Sequence, residues 1–192
     1  GWGQPSADEL QTALRRHGLA RGSDPEGYLP RAAEMISGFL QSDLGRRVAA
    51  EPSAVEVPLV VRYEEVTIRG SADLILASET PLILDYKTNR LDGVEPEEKM
   101  ADYELQRGLY ALALARARGL DEVETAYSFL EAPDRPVMKL YRGADFDATE
   151  ELLRQTLAEI TGGRFFGGPD AKYRPCGKSE CPGCRLLSAQ IM

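Results

Sequence analysis

The chain has 192 residues, with 31 acidic against 23 basic side chains and a net charge of −8. Length and composition fit one soluble globular domain, or one with a small appendage. The acidic excess argues against a protein that coats nucleic acid through bulk electrostatics, while leaving room for a nucleic-acid enzyme whose acidic centre is neutralised by metal.

Apolar runs such as LILA and PLIL are too short to cross a bilayer, and the start shows no signal-peptide pattern, so a cytoplasmic location without membrane contact is the expectation. Opening on Gly1-Trp2-Gly3 without methionine reads as a piece of a longer chain. Three clustered cysteines with none elsewhere make a poor disulfide framework.

The first predicted element follows Ser6, with Glu9 three residues on: a capping box, closed by Gly18. Leu10, Ala13, Leu14 and His17 share one face of this short helix. A second helix has Asp24 as N-cap and Pro25 at its first position, with Pro30 as the start of its regular part; Ala32, Met35, Ile36, Phe39 and Leu40 keep the helical period. A further turn or two ends before Pro52. The periodicity then changes. Residues 54–87 are rich in β-branched side chains, with breaks at Tyr63–Glu65 and Ser78–Pro81, and predict a three-stranded antiparallel meander. Residues 94–118 return to helix, stopped by Gly119. Two more strands follow around a proline-containing turn, then a last helix from Asp147, then a Gly/Pro-rich tail. The order predicts a mixed α/β domain on one central sheet.

The chemistry concentrates in residues 70–90, GSADLILASETPLILDYKTNR. Asp85 and Lys87 are two apart on the third strand, so they share a face about 6.6 Å apart. Asp73, on the preceding strand about 4.8 Å away, can fall beside Asp85. Two such carboxylates repel unless a cation lies between them, and oxygen ligands suit a hard ion such as Mg²⁺ or Mn²⁺. A lysine there can hold an attacking water or stabilise phosphoryl charge. The bland alternative for the D-x-K triplet alone is an ion pair at a sheet end. Three features weigh against it. Gly70, in a strand where glycine weakens pairing, suggests close approach of another group. Thr88-Asn89-Arg90 after the triplet suits a strand opening into a cleft. Gln106 and Tyr110 stand one helical turn apart on a common face.

The blocks GSADLI, LILDYKTN and LQRGLYALAL, within residues 54–131, resemble the RecB/AddA branch of the PD-(D/E)xK nucleases, the C-terminal nuclease domains of bacterial UvrD/Rep-type helicase–nucleases. The resemblance implies a restriction-endonuclease-like core, a central mixed sheet flanked by helices, over residues 1–168, with 169–192 as a cysteine-containing tail. It implies Asp73, Asp85 and the Tyr86 carbonyl as ligands of Mg²⁺ or Mn²⁺, Lys87 as the group handling the nucleophilic water, and Gln106 and Tyr110 as contacts to DNA or supports of the metal shell. Glu56 matches an acidic position on the first strand, or is a solvent-facing residue. The implied activity is metal-dependent exonucleolytic cleavage of DNA in the processing of ends for recombinational repair. Its partners are single-stranded DNA or DNA ends, a helicase motor in the same polypeptide and a second helicase–nuclease subunit. The alternatives are a non-catalytic end-binding scaffold and a free-standing repair exonuclease.

The sequence departs from the family at two points. The family's metal-binding histidine precedes the region seen here; the one histidine present, His17, lacks that setting and reads first as a helix-end charge. Relatives with an iron–sulfur cluster use one upstream and three C-terminal cysteines, whereas only Cys176, Cys181 and Cys184 are present. They are ligands of such a cluster completed from elsewhere, ligands of Zn²⁺ with a non-cysteine fourth, or reduced thiols.

Overall fold

The computed structural model describes residues 3–16 and 25–162. His17, the Asp24 cap, Cys176, Cys181, Cys184 and the tail lie outside the described residues. The chain divides into two compact units, Gly1–Phe146 and Asp147–Met192.

In the first unit the capping box forms as expected. The Ser6 N–H donates to Glu9 at 2.8 Å and the Glu9 N–H to the Ser6 hydroxyl at 3.3 Å, at the start of helix α1 (Ala7–Arg16). Helix α2 runs Pro25–Gln41 straight through Pro30, so Pro30 does not mark its start. Pro30 is the sixth residue of α2, past the four N–H groups that lack an intrahelical acceptor, so its ring removes one bond from the ladder. The Ser42 hydroxyl accepts the Gly45 N–H at 3.0 Å and caps α3 (Asp43–Ala50).

The expected meander is present as β1 (Ser53–Tyr63), β2 (Val66–Leu76) and β3 (Leu82–Lys87), both pairs antiparallel. Residues 94–118, expected as one helix, form three pieces: a single turn α4 (Pro96–Lys99), a 3-10 turn (Met100–Tyr103) and α5 (Glu104–Arg118). The 3-10 turn eclipses side chains three apart, and it sends both Met100 and Tyr103 into one cluster with Tyr127 and Phe129. Strand β4 (Glu122–Phe129) joins β3 in parallel, and β5 (Val137–Arg142) closes the sheet antiparallel to β4. The result is a five-stranded mixed sheet of order β1-β2-β3-β4-β5.

Alternation along the strands divides the core. Leu74, Leu76, Leu82 and Leu84 face Phe39 of α2 and Leu44 and Val48 of α3. Ile75 and Ile83 face the other way, onto Ala111, Leu112 and Ala115 of α5. By the same alternation along β3, Asp85 and Lys87 lie on the α5 side with Ile83. Helix α6 (Ala144–Thr161) carries most of the described part of the second unit, with Glu151 and Arg154 paired at 2.5 Å. Among the described residues, no helix is long and apolar enough to cross a membrane.

Candidate active site

The site begins where two strands part. β2 and β3 pair only through Leu74–Leu84, Ile75–Ile83 and Leu76–Leu82. Beyond that the Asp73 side chain replaces the ladder: its Oδ2 accepts the Tyr86 backbone N–H at 2.7 Å. On the other flank of Asp73, the β1–β2 ladder skips Glu56, which lies between the pairs Val55–Leu74 and Val57–Ala72 with φ of +51°. That conformation is uncommon for a residue with a Cβ. Ala72 and Ile75 both reach the α5 side although three apart, so the regular alternation breaks at Asp73.

Asp85 is 4% exposed and binds the Lys87 ammonium at 2.7 Å. Burial raises its carboxyl above the usual range; Lys87 opposes the rise and the neighbouring charge of Asp73 adds to it. Burial, then Asp73, likewise pushes the Tyr86 hydroxyl upward. Asp73 thus lies close enough to disfavour the charge on Asp85, which a cation would reverse. All donors here are oxygens: two carboxylates and the Tyr86 carbonyl, a set that fits Mg²⁺ or Mn²⁺. Among the described residues no three His, Cys, Asp or Glu side chains gather at one point. Glu56 is exposed, and its carboxylate accepts a bond from the Ser71 hydroxyl at 3.4 Å.

Helix α5 supplies the next layer. Gln106 Oε1 accepts from Lys87 Nζ at 3.1 Å, and Gln106 Nε2 donates to the Tyr110 hydroxyl at 3.1 Å. Gly70 is explained by the same helix. A Cβ there would stand 2.6 Å from Tyr110 Cε1, so glycine lets the ring lie against β2. A groove of about 360 Å³ between α5 and the β1–β2 hairpin is lined by Leu59, Ile68, Gly70, Gln106, Leu109 and Tyr110, and it meets Lys87 through Gln106.

Sequence reasoning missed the groups that hold this layer. Tyr103 and Tyr127 put their rings beside Lys87. Glu104 accepts from Arg107 at 2.5 Å, from Lys139 at 3.3 Å and from the Tyr141 hydroxyl at 3.4 Å, tying the start of α5 to β5. Burial pushes the Glu104 carboxyl up, but Arg107 and Lys139 outweigh it and hold it below the usual range. No motif flags these residues, because their partners Lys87, Lys139 and Tyr141 lie on other elements distant in sequence.

A profile of the PD-(D/E)XK nuclease superfamily matches residues 4–189. The chain belongs to that superfamily. Within it the chain is similar to one of the subunits of an ATP-dependent helicase/nuclease from Streptococcus sanguinis (strain SK36), with 32% identity over 114 residues, 55% of this chain and 9% of that protein. The corresponding protein of Streptococcus thermophilus (strain LMD-9) is 28% identical over 116 residues, 56% of this chain and again 9% of that one. The chain therefore spans about a tenth of the length of the curated relatives it matches. Among solved structures, a candidate exonuclease from Eubacterium rectale superposes with a TM-score of 0.54 at 10% identity, covering 94% of this chain and 70% of the other. That likeness bears on the fold alone, a mixed sheet flanked by helices.

Proposed function

We propose that this PD-(D/E)XK chain is a Mg²⁺- or Mn²⁺-dependent deoxyribonuclease domain, cutting exonucleolytically. It would serve a helicase–nuclease that processes DNA ends in recombinational repair. The observation that carries the reading is the buried Asp85 carboxylate, disfavoured by Asp73 and bound to Lys87 at 2.7 Å. Asp73, Asp85 and the Tyr86 carbonyl would hold the ion. What the ion supplies when bound is Lewis acidity, which stabilises charge on the phosphoryl oxygens and the leaving 3′-oxygen.

The chain's own residues do the rest. Lys87 has three N–H donors, of which one goes to Asp85 and one to Gln106, leaving the third for the attacking water. Water oxygen bonds to phosphorus as the bond from phosphorus to the 3′-oxygen breaks, and a proton ends on that oxygen. Gln106 and Tyr110 keep Lys87 in place and form the wall along which a strand would lie. Residues 1–168 would be the nuclease domain and 169–192 an appended tail, with a motor domain of the same polypeptide delivering the strand.

The test is cleavage of end-labelled linear single- and double-stranded DNA with Mn²⁺ or Mg²⁺, beside Lys87→Ala and Asp85→Ala checked for folding by circular dichroism. The expected result is metal-dependent shortening from the ends, lost in both folded variants. Wild-type cutting by either folded variant would refute the assignment. DNA binding without cutting by the wild type would point to a scaffold.

A further inference from the structure

The Lys87 ammonium lies 4.3 Å from the centroid of the Tyr103 ring and 5.1 Å from that of Tyr127. Both fall within about 6 Å, where a cation is drawn to the face of a ring. The rings come from different elements, the end of the 3-10 turn and the middle of β4. They pack on each other at 6.2 Å, and Phe129 backs Tyr103 edge-on at 6.3 Å. Tyr127 is fully buried and pairs with Asp85 in the parallel register, so its ring stands on the face that carries Asp85 and Lys87. Among the described residues its hydroxyl has no hydrogen-bond partner. A phenol buried without a partner is costly, so what the site uses at this position is the ring.

A lysine side chain is a flexible four-carbon stem, so the bonds to Asp85 and Gln106 aim its third N–H only while the ammonium itself is held in place. We propose that Tyr103 and Tyr127 form an aromatic cradle that positions the Lys87 ammonium, so that its remaining donor is held for the attacking water. This rests on the reading of Lys87 as the water-handling group. Both tyrosines are positioning residues that act through Lys87.

An aliphatic side chain can fill the place of Tyr103 but offers no π face, and this decides the test. Tyr103→Phe and Tyr127→Phe keep the rings and are expected to cut within about twofold of wild type. Tyr103→Leu is expected to lower kcat about tenfold, with KM for DNA little changed. A second readout needs no catalysis. The Lys87 ε-methylene resonance, assigned by its loss in Lys87→Arg, should be shifted upfield by the ring currents in wild type and in Tyr103→Phe. It should return toward the free-lysine position in Tyr103→Leu. Should Tyr103→Leu not fold, pentafluorophenylalanine at 103 keeps the ring and reverses its quadrupole, and kcat should fall equally. An unshifted Lys87 resonance in wild type, or wild-type kcat in folded Tyr103→Leu or in the fluorinated protein, would overturn the proposal. If Lys87→Ala itself cuts normally, the reading of Lys87 has failed. If Lys87→Ala is inactive while Tyr103→Leu is not, only the cradle has failed.

Discussion

Replacing Gly70 with alanine adds one methyl group at the point where β2 touches α5. That methyl carbon would stand 2.6 Å from Tyr110 Cε1, 3.0 Å from its hydroxyl and 3.1 Å from Cζ. Ordinary carbon contacts begin at about 3.6 Å, so something must yield by roughly 1 Å. Gly70 is paired with Leu59 across the β1–β2 ladder, so the strand resists and the ring moves. The 3.1 Å bond from Gln106 to the Tyr110 hydroxyl then stretches to about 4 Å and is lost, and Gln106 loosens its hold on Lys87. Overpacking costs about 1–3 kcal/mol, while alanine recovers about 0.5–1 kcal/mol of the backbone entropy that glycine loses in a strand. The net expectation is a loss of about 0.5–2 kcal/mol in urea denaturation. A displacement of about 1 Å next to the reacting groups should lower single-turnover cleavage by about tenfold to a hundredfold. In a Tyr110→Ala background the clash is gone, and Gly70→Ala should become neutral or slightly stabilising. Equal costs in the two backgrounds, or unchanged stability and cleavage in the single variant, would refute the reasoning.

Further outcomes follow from the same geometry. Because burial and Asp73 raise the Asp85 carboxyl, the folded metal-free protein holds that proton more tightly than the unfolded chain. Its stability should therefore fall as pH rises from about 4 through the raised value; Asp85→Asn should flatten this slope and melt slightly higher at neutral pH, while losing cleavage. Saturating Mn²⁺, at about a hundred times Kd, should stabilise wild type by about 2.7 kcal/mol in thermal scans and leave Asp85→Asn unmoved; an equal shift in both would contradict the ligand assignment. Glu104 has the opposite sign. Its lowered carboxyl contributes stability above about pH 4.3 that is lost as pH falls through the folded value, so the gap between wild type and Glu104→Gln in denaturant titrations should close in acid. A gap that stays constant down to pH 3 would rule out the Arg107 and Lys139 pairing as its source. Gly45→Ala would bring a Cβ to 1.9 Å from the Phe39 carbonyl oxygen, a backbone atom that cannot swing aside. Its expected cost of about 3 kcal/mol or more should be visible as lost helical signal at the α2–α3 junction.

The meander was readable because β-branched runs and the breaks near residues 64 and 79 are local signals. So was the spacing of Asp85 and Lys87, which the period of a strand fixes. The break of residues 94–118 was not readable. Pro96–Tyr103 is made of helix-compatible residues, and the 3-10 turn is favoured by what Met100 and Tyr103 meet, namely Tyr127 and Phe129 some 25 residues on. Gly70 signalled a close approach without naming the partner, which is Tyr110. Tyr127 reads as one more apolar residue in a buried strand, and only the parallel register with Asp85 brings it to the site. The parallel pairing of β3 with β4 is a tertiary fact that no local pattern encodes.

The carboxylate of Asp73 doubles as a rung of the sheet, since it takes the Tyr86 N–H that strand pairing no longer reaches. Removing it strands a backbone donor at a cost of about 1–3 kcal/mol, so Asp73→Ala should destabilise the fold where Asp73→Asn, which keeps an acceptor oxygen, should not. On the proposed function, a descendant that stopped cutting would remain under pressure to keep an acceptor at position 73 while positions 85 and 87 drifted. In relatives of this chain, an acceptor at 73, whether aspartate or asparagine, would testify to inherited architecture. On the same proposed function, the pair at 85 and 87 would mark retained chemistry.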